Sequence, residues 1–172
     1  MIAHLPMYVN IVFILTTLLT VFLFYKAGSR SKISLGILVL WLLLQAVLSY
    51  VGFYTVTNTT PPRFILLALP AVLLIIYLFL TAKGRVYLNN LDAKTLTLLH
   101  VVRIPVELCL YWLFLHKSIP QLMTFEGRNF DILAGLTAPV IFYFGYVKNK
   151  LGKTVLLLWN FICLGLLLNI VI

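Results

Sequence analysis

Charge is scarce in this sequence. Only 10% of its 172 residues are Asp, Glu, Lys or Arg, and four of them are acidic. A soluble domain carries about a quarter charged residues, so water is not the main solvent here. Cysteine is scarce too. Cys109 and Cys163 both fall inside apolar runs and no CxxC is present. They read as small buried hydrophobes, not as a disulfide or a thiolate metal site. No HExxH, Asp-rich prenyl-diphosphate motif, phosphate-binding Gly loop or nucleophile elbow occurs. No lysine lies mid-span, which speaks against a retinal-type Schiff base. His100 and His116 share one run about 24 Å apart along a helix axis, and His4 is remote from both. No metal or other cofactor is therefore expected. The N-terminal "MIAHLPMYVNIVF" lacks the basic residues that open a signal peptide. Its apolar run is expected to be retained as a span.

What is abundant is apolar surface. Hydrophobic residues make up 63% of the chain. A membrane-crossing helix needs about 20 of them in a row, and six runs approach that length. They cover about 7–25, 33–56, 63–82, 96–116, 130–146 and 154–172. No alternating strand pattern appears. In lipid each backbone group must be paired within the chain, so helices follow. The expected fold is an all-α polytopic membrane bundle of six transmembrane helices in a single domain, 1–172.

The formal charge of +9 does not form a nucleic-acid-binding patch, because the basic residues cluster between apolar runs. Lys26, Arg30 and Lys32 follow the first run. Lys83, Arg85 and Lys94 follow the third, and Lys148, Lys150 and Lys153 follow the fifth. The intervening loops hold Arg63, Lys117 and Arg128. The positive-inside rule puts the first three clusters in the cytoplasm. Both termini then face outward, and the location is a bacterial inner membrane. Tyr50, Tyr54, Trp112 and Tyr146 are candidate interfacial anchors. The outer loop "KSIPQLMTFEGRN" mixes apolar and charged residues, so it is expected to lie on the membrane or dip back over the bundle.

Three mid-span prolines, Pro70, Pro105 and Pro139, each free a carbonyl and permit a bend. "LPAVLLIIYLFL" and "IPVELCLYWLFL" align on their prolines. One helix of likeness does not establish an inverted repeat.

The unusual stretch is "HVVRIPVELCLYW", 100–112. At helical spacing His100, Arg103, Glu107 and Tyr111 share one stripe. Arg103 and Glu107 are four apart, so they are expected to pair. Glu107 falls about 16 Å into the span and Arg103 about 10 Å. Each mid-span charge costs about 2.5–3.5 kcal/mol, and each strong apolar residue returns about 0.3–0.6 kcal/mol. The twelve Leu, Ile, Val and Phe residues of the run then roughly balance its two charges. Such a helix belongs in the interior, with its polar stripe facing other helices or water. Gln45 and Asn160 are expected to face it, with Thr16, Thr17 and Asn169 as further polar partners. Arg63, Glu126, Arg128 and Asp131 are expected to form an outer mouth, and Asn129 to cap the fifth span.

The run "RIPVELCLYWLFLHKSIPQLMTFEGRNFDILAGLTAP", 103–139, resembles an uncharacterised bacterial multi-pass membrane protein family. The resemblance covers about the C-terminal half and implies no activity, substrate or site. It does imply chain continuing past a segment similar to "WNFICLGLLLNIV", and so a seventh span.

The leading expectation is an integral membrane protein with a polar pocket around Glu107. It would handle a small solute or a proton, as a transporter or binding module. A second reading is a structural or accessory subunit whose stripe packs against a second copy or another membrane protein. A third is an intramembrane enzyme using Glu107 or Asp131 as acid or base, with His100 assisting.

Overall fold

A computed structural model describes residues 5–56, 58–63 and 65–171. His4 lies outside the described residues. These residues are all-helical, with no strand among them. The helices are α1 (Met7–Ala27), α2 (Lys32–Tyr50), α3 (Ile65–Leu80), α4 (Ala82–Asn89), α5 (Ala93–Leu99), α6 (Arg103–Leu115), α7 (Ile132–Phe142) and α8 (Lys153–Val171). A single 3-10 turn, His100–Val102, joins α5 to α6, so Ala93–Leu115 runs as one 23-residue helix.

Three helices are long and apolar enough to cross a membrane: Met7–Ala27, Lys32–Tyr50 and Ala93–Leu115. α3 and α4 make a fourth if the bent pair counts as one span. Ile132–Val147 is apolar but shorter, and α8 is apolar over Lys153–Asn169, the part whose side chains are described. The second apolar run is shorter than expected, because α2 stops at Tyr50. The third is broken. Thr81 leaves the helical region and its hydroxyl accepts from the Gly84 N–H at 3.1 Å, capping a new helix that departs at 94°.

The chain forms two compact units. The first comprises α1, α5–α6, α7 and α8. α1 runs antiparallel to α5–α6: Tyr8 packs edge-on against Trp112 at 5.0 Å, and the Cys109 thiol meets the Val9 carbonyl at 4.0 Å. α7 is antiparallel to α5–α6 as well, with Asp131 beside Arg103 and Tyr146 beside Thr97. α8 turns again, and the Trp159 indole N–H donates to Thr137 at 3.0 Å. The core between α7 and α8 is made of Ala134, Ala138, Trp159 and Cys163. Small residues there let helices approach closely, as membrane packing requires. Gly135 shows how closely. A Cβ on it would stand 2.8 Å from the Ile104 side chain and 3.1 Å from the Ile104 nitrogen.

Pro139 lies inside α7, and a π-turn follows it at Tyr143–Val147. Proline cannot donate to the preceding turn, and a widened turn is a common accommodation. Pro105 sits in the first turn of α6, right after the 3-10 turn. There a missing N–H costs little, and Ala93–Leu115 continues past it as one helix.

The second unit is Gly28–Asp92. Its helices are α2, α3 and α4. No side chain of α2 or α3 is buried and most are exposed, which fits helices whose solvent is lipid. Ser31 caps α2, accepting from the Ser34 N–H at 3.3 Å.

Candidate functional site

Of the polar stripe, Glu107 is buried and His100, Arg103 and Tyr111 are half-buried, and the partners differ from the expected ones. Arg103 does not turn to Glu107 one helical turn away. Its guanidinium forms an ion pair with Asp131, at the entrance to α7. The same nitrogen reaches toward the Cys163 carbonyl of α8 at 3.5 Å. Glu107 is 2% exposed, and its Oε1 accepts from the Asn129 amide at 2.7 Å. Its Oε2 is buried without a hydrogen-bond partner.

Apart from the Cys163 carbonyl, these contacts come from the loop that leads into α7. After Leu115 the chain closes α6 with Lys117 in the left-handed region, φ 54°. The Ser118 N–H bonds to the Leu113 carbonyl at 2.9 Å and the Lys117 N–H to that of Phe114 at 2.7 Å. That is a Schellman closure. The loop then returns along α6. Phe125 stacks on Tyr111 at 5.0 Å, Asn129 meets Glu107, and Asp131 meets Arg103. Each contact lies about one turn deeper along α6 than the last. The loop therefore dips back over the bundle, one of the two placements expected for it.

The return is tightly built. Thr124 is fully buried and donates to the Gln121 carbonyl at 2.8 Å. Asn129 is 2% exposed, donates also to the Met123 carbonyl at 3.2 Å, and accepts from the Asp131 N–H at 3.2 Å. Asn129 is not the cap of α7 as expected, since the residue ahead of Ile132 is Asp131, whose N–H it binds, and it holds Glu107 with the same side chain. Gly127 is required by closeness, since a Cβ there would stand 2.4 Å from the Gln121 carbonyl oxygen.

Several expected site residues lie elsewhere. Asn160 donates to the Leu156 carbonyl of its own helix at 2.8 Å and is exposed. Thr16 and Thr17 likewise donate to the carbonyls of Val12 and Phe13 within α1. Gln45 belongs to the Gly28–Asp92 unit, where it accepts from the Tyr54 hydroxyl. Arg63 belongs to that unit too. It lies over the Phe53 ring at 4.8 Å and donates to the Phe53 carbonyl at 3.5 Å. The outer mouth is not assembled as expected in the first unit, because Asp131 is withdrawn to Arg103. Glu126 stays near the Tyr111 hydroxyl, and the Arg128 carbonyl accepts from Asn169 at 2.6 Å. His100 packs against Trp159 at 4.9 Å, and its Nδ1 is buried without a hydrogen-bond partner. Among the described residues no group of three or more His, Cys, Asp or Glu side chains is placed to hold a metal ion.

Sequence reasoning missed Asn129 as a partner of Glu107 and Thr124 as a buried residue. A signal was present. "TFEGRNFD" carries more polar residues than a short turn needs, and two residues after it comes the small-residue run "AGLTA".

Comparison with known protein families, curated proteins and solved structures gives no match.

Proposed function

We propose that this protein is an integral inner-membrane protein in which Glu107 is a proton-exchanging site of a transporter or binding module. The observation that carries this reading is the buried carboxylate itself. Glu107 is almost wholly shielded, one oxygen is held by Asn129, and the other has no hydrogen-bond partner. Arg103 is already committed to Asp131. The cluster thus holds two carboxyl groups and one guanidinium. A proton on Glu107 would balance the charge and give Oε2 a hydrogen to share. Ionisable residues placed in membrane spans commonly mark proton or solute pathways.

The cytoplasmic placement of the basic loops and the outward termini are part of the proposal. Supporting it, the antiparallel helices of the first unit carry Lys26, Lys94, Lys148, Lys150 and Lys153 toward one end. The six-span arrangement is also proposed. It counts α3, Ile132–Val147 and α8 as spans, alongside the three long helices.

The test is proton flux in proteoliposomes containing a trapped pH-sensitive dye. An imposed pH gradient should collapse faster with wild-type protein than with Glu107→Gln. Equal rates for the two, both above empty vesicles, would remove Glu107 from the path. Equality with empty vesicles would remove the flux claim.

One observation favours a second reading, a structural membrane subunit. The loop residues Thr124, Asn129 and Asp131 are nearly closed off, so the seam works as interhelical glue in any case. On that reading Glu107→Gln would alter neither flux nor any proton-linked signal.

A further inference from the structure

The Gly28–Asp92 unit carries a feature independent of Glu107. α3 is a 16-residue apolar helix with exposed side chains, and α4 leaves its end at 94°. A helix at a right angle to a spanning segment runs along the membrane plane. Gly84 makes the elbow tight, since a Cβ there would stand 2.4 Å from the Leu78 carbonyl oxygen.

α4 is also sided. Gly84 is buried, and Tyr87 and Leu88 are partly covered. Its outward face presents Ala82 and Val86 flanked by Lys83 and Arg85, all exposed. An apolar strip between two long cations is the pattern of an interfacial helix, whose strip enters the acyl boundary while the cations reach headgroups. Among the described residues neither Lys83 nor Arg85 has a hydrogen-bond or ion-pair partner. The Ser29 hydroxyl contacts the Asn90 carbonyl at 3.4 Å. This ties the end of α4 to the turn that carries Arg30 and leads into α2. The unit holds five basic residues against one acid, Asp92.

We propose that α4 is a docking surface for the phosphate headgroup of an anionic phospholipid, gripped by Lys83 and Arg85. Charge complementarity selects this occupant. Each Lys or Arg near an anionic surface contributes about fivefold in affinity, and the effect fades with salt.

The experiment uses the full chain, purified and delipidated in neutral detergent. Binding is read by native mass spectrometry and by thermal shift. Short-chain phosphatidylglycerol, short-chain phosphatidylcholine and inorganic phosphate are compared. Wild type is expected to retain and be stabilised by phosphatidylglycerol alone. Lys83→Gln with Arg85→Gln should weaken that binding by at least tenfold, while Lys117→Gln should not. Lys83→Arg with Arg85→Lys should keep it, which separates charge from folding. Equal binding of the two lipids would overturn the proposal, as would an unchanged double Gln variant. Stabilisation by inorganic phosphate equal to that by the lipid would make the ligand a free anion and overturn it too.

Discussion

Arg103 has a carboxylate one turn away on its own helix, and it pairs with another twenty-eight positions along the chain. The choice follows from what the loop brings. Asn129 occupies Glu107, and Asp131 arrives beside the guanidinium. Removing Arg103 leaves Asp131 buried without compensation. Arg103→Leu should cost about 3–5 kcal/mol, and adding Asp131→Leu should recover most of it, since a buried pair is often replaceable by apolar residues. Chemical denaturation in detergent micelles reads both. Asn129→Ala should cost about 1–3 kcal/mol by leaving Glu107 Oε1 unpaired. Glu107→Gln keeps an acceptor for Asn129, so its effect on stability should be smaller, and Asn129→Ala as destabilising as Glu107→Gln would count against the bond. The polarity of His100, Arg103, Glu107 and Tyr111 was legible from their spacing. Their partners were not, because periodicity reports which residues share a helix face and says nothing about a loop folding back onto it.

At the scale of elements, the return loop depends on two backbone features. Lys117 closes α6 in a left-handed conformation that costs a residue with a Cβ about 1 kcal/mol. Lys117→Gly should therefore raise stability by roughly 0.5–1 kcal/mol if the Schellman closure is the native one. A loss of stability would mean that the lysine side chain, not the backbone, holds the turn. Gly135→Ala should be destabilising by about 1–3 kcal/mol through overpacking against Ile104. Heating the variant while following Trp159, which lies in the adjacent core, checks this. The breaks between elements were partly readable. The end of the third apolar run near Ala82 was visible as a fall in hydropathy. The elbow was not, because a Thr81 cap and a Gly84 close approach are local geometry inside an otherwise continuous pattern. Likewise Pro139 announced a disturbance in α7, but the π-turn four residues later depends on how α7 packs.

Across the whole molecule, composition led to an expectation of helices in lipid, and every regular element among the described residues is a helix. Hydropathy marked six runs, of which three are helices long enough to span, with a fourth in the bent pair. The discrepancy has a physical origin. A residue that returns into the bundle is as apolar as one that crosses it, so Phe130 and its neighbours look like the start of a span. In the structure the helix begins at Ile132, already level with Arg103. That depth is what makes the seam buried, and burial is what makes Glu107 more than a surface acid.

The most direct measurement is infrared difference spectroscopy of the protein in nanodiscs across a pH titration. The account predicts a carboxylic-acid carbonyl band that appears as pH falls, shifts in heavy water, persists in Lys117→Gln and is missing in Glu107→Gln. The same band, with the same titration, in Glu107→Gln would contradict it.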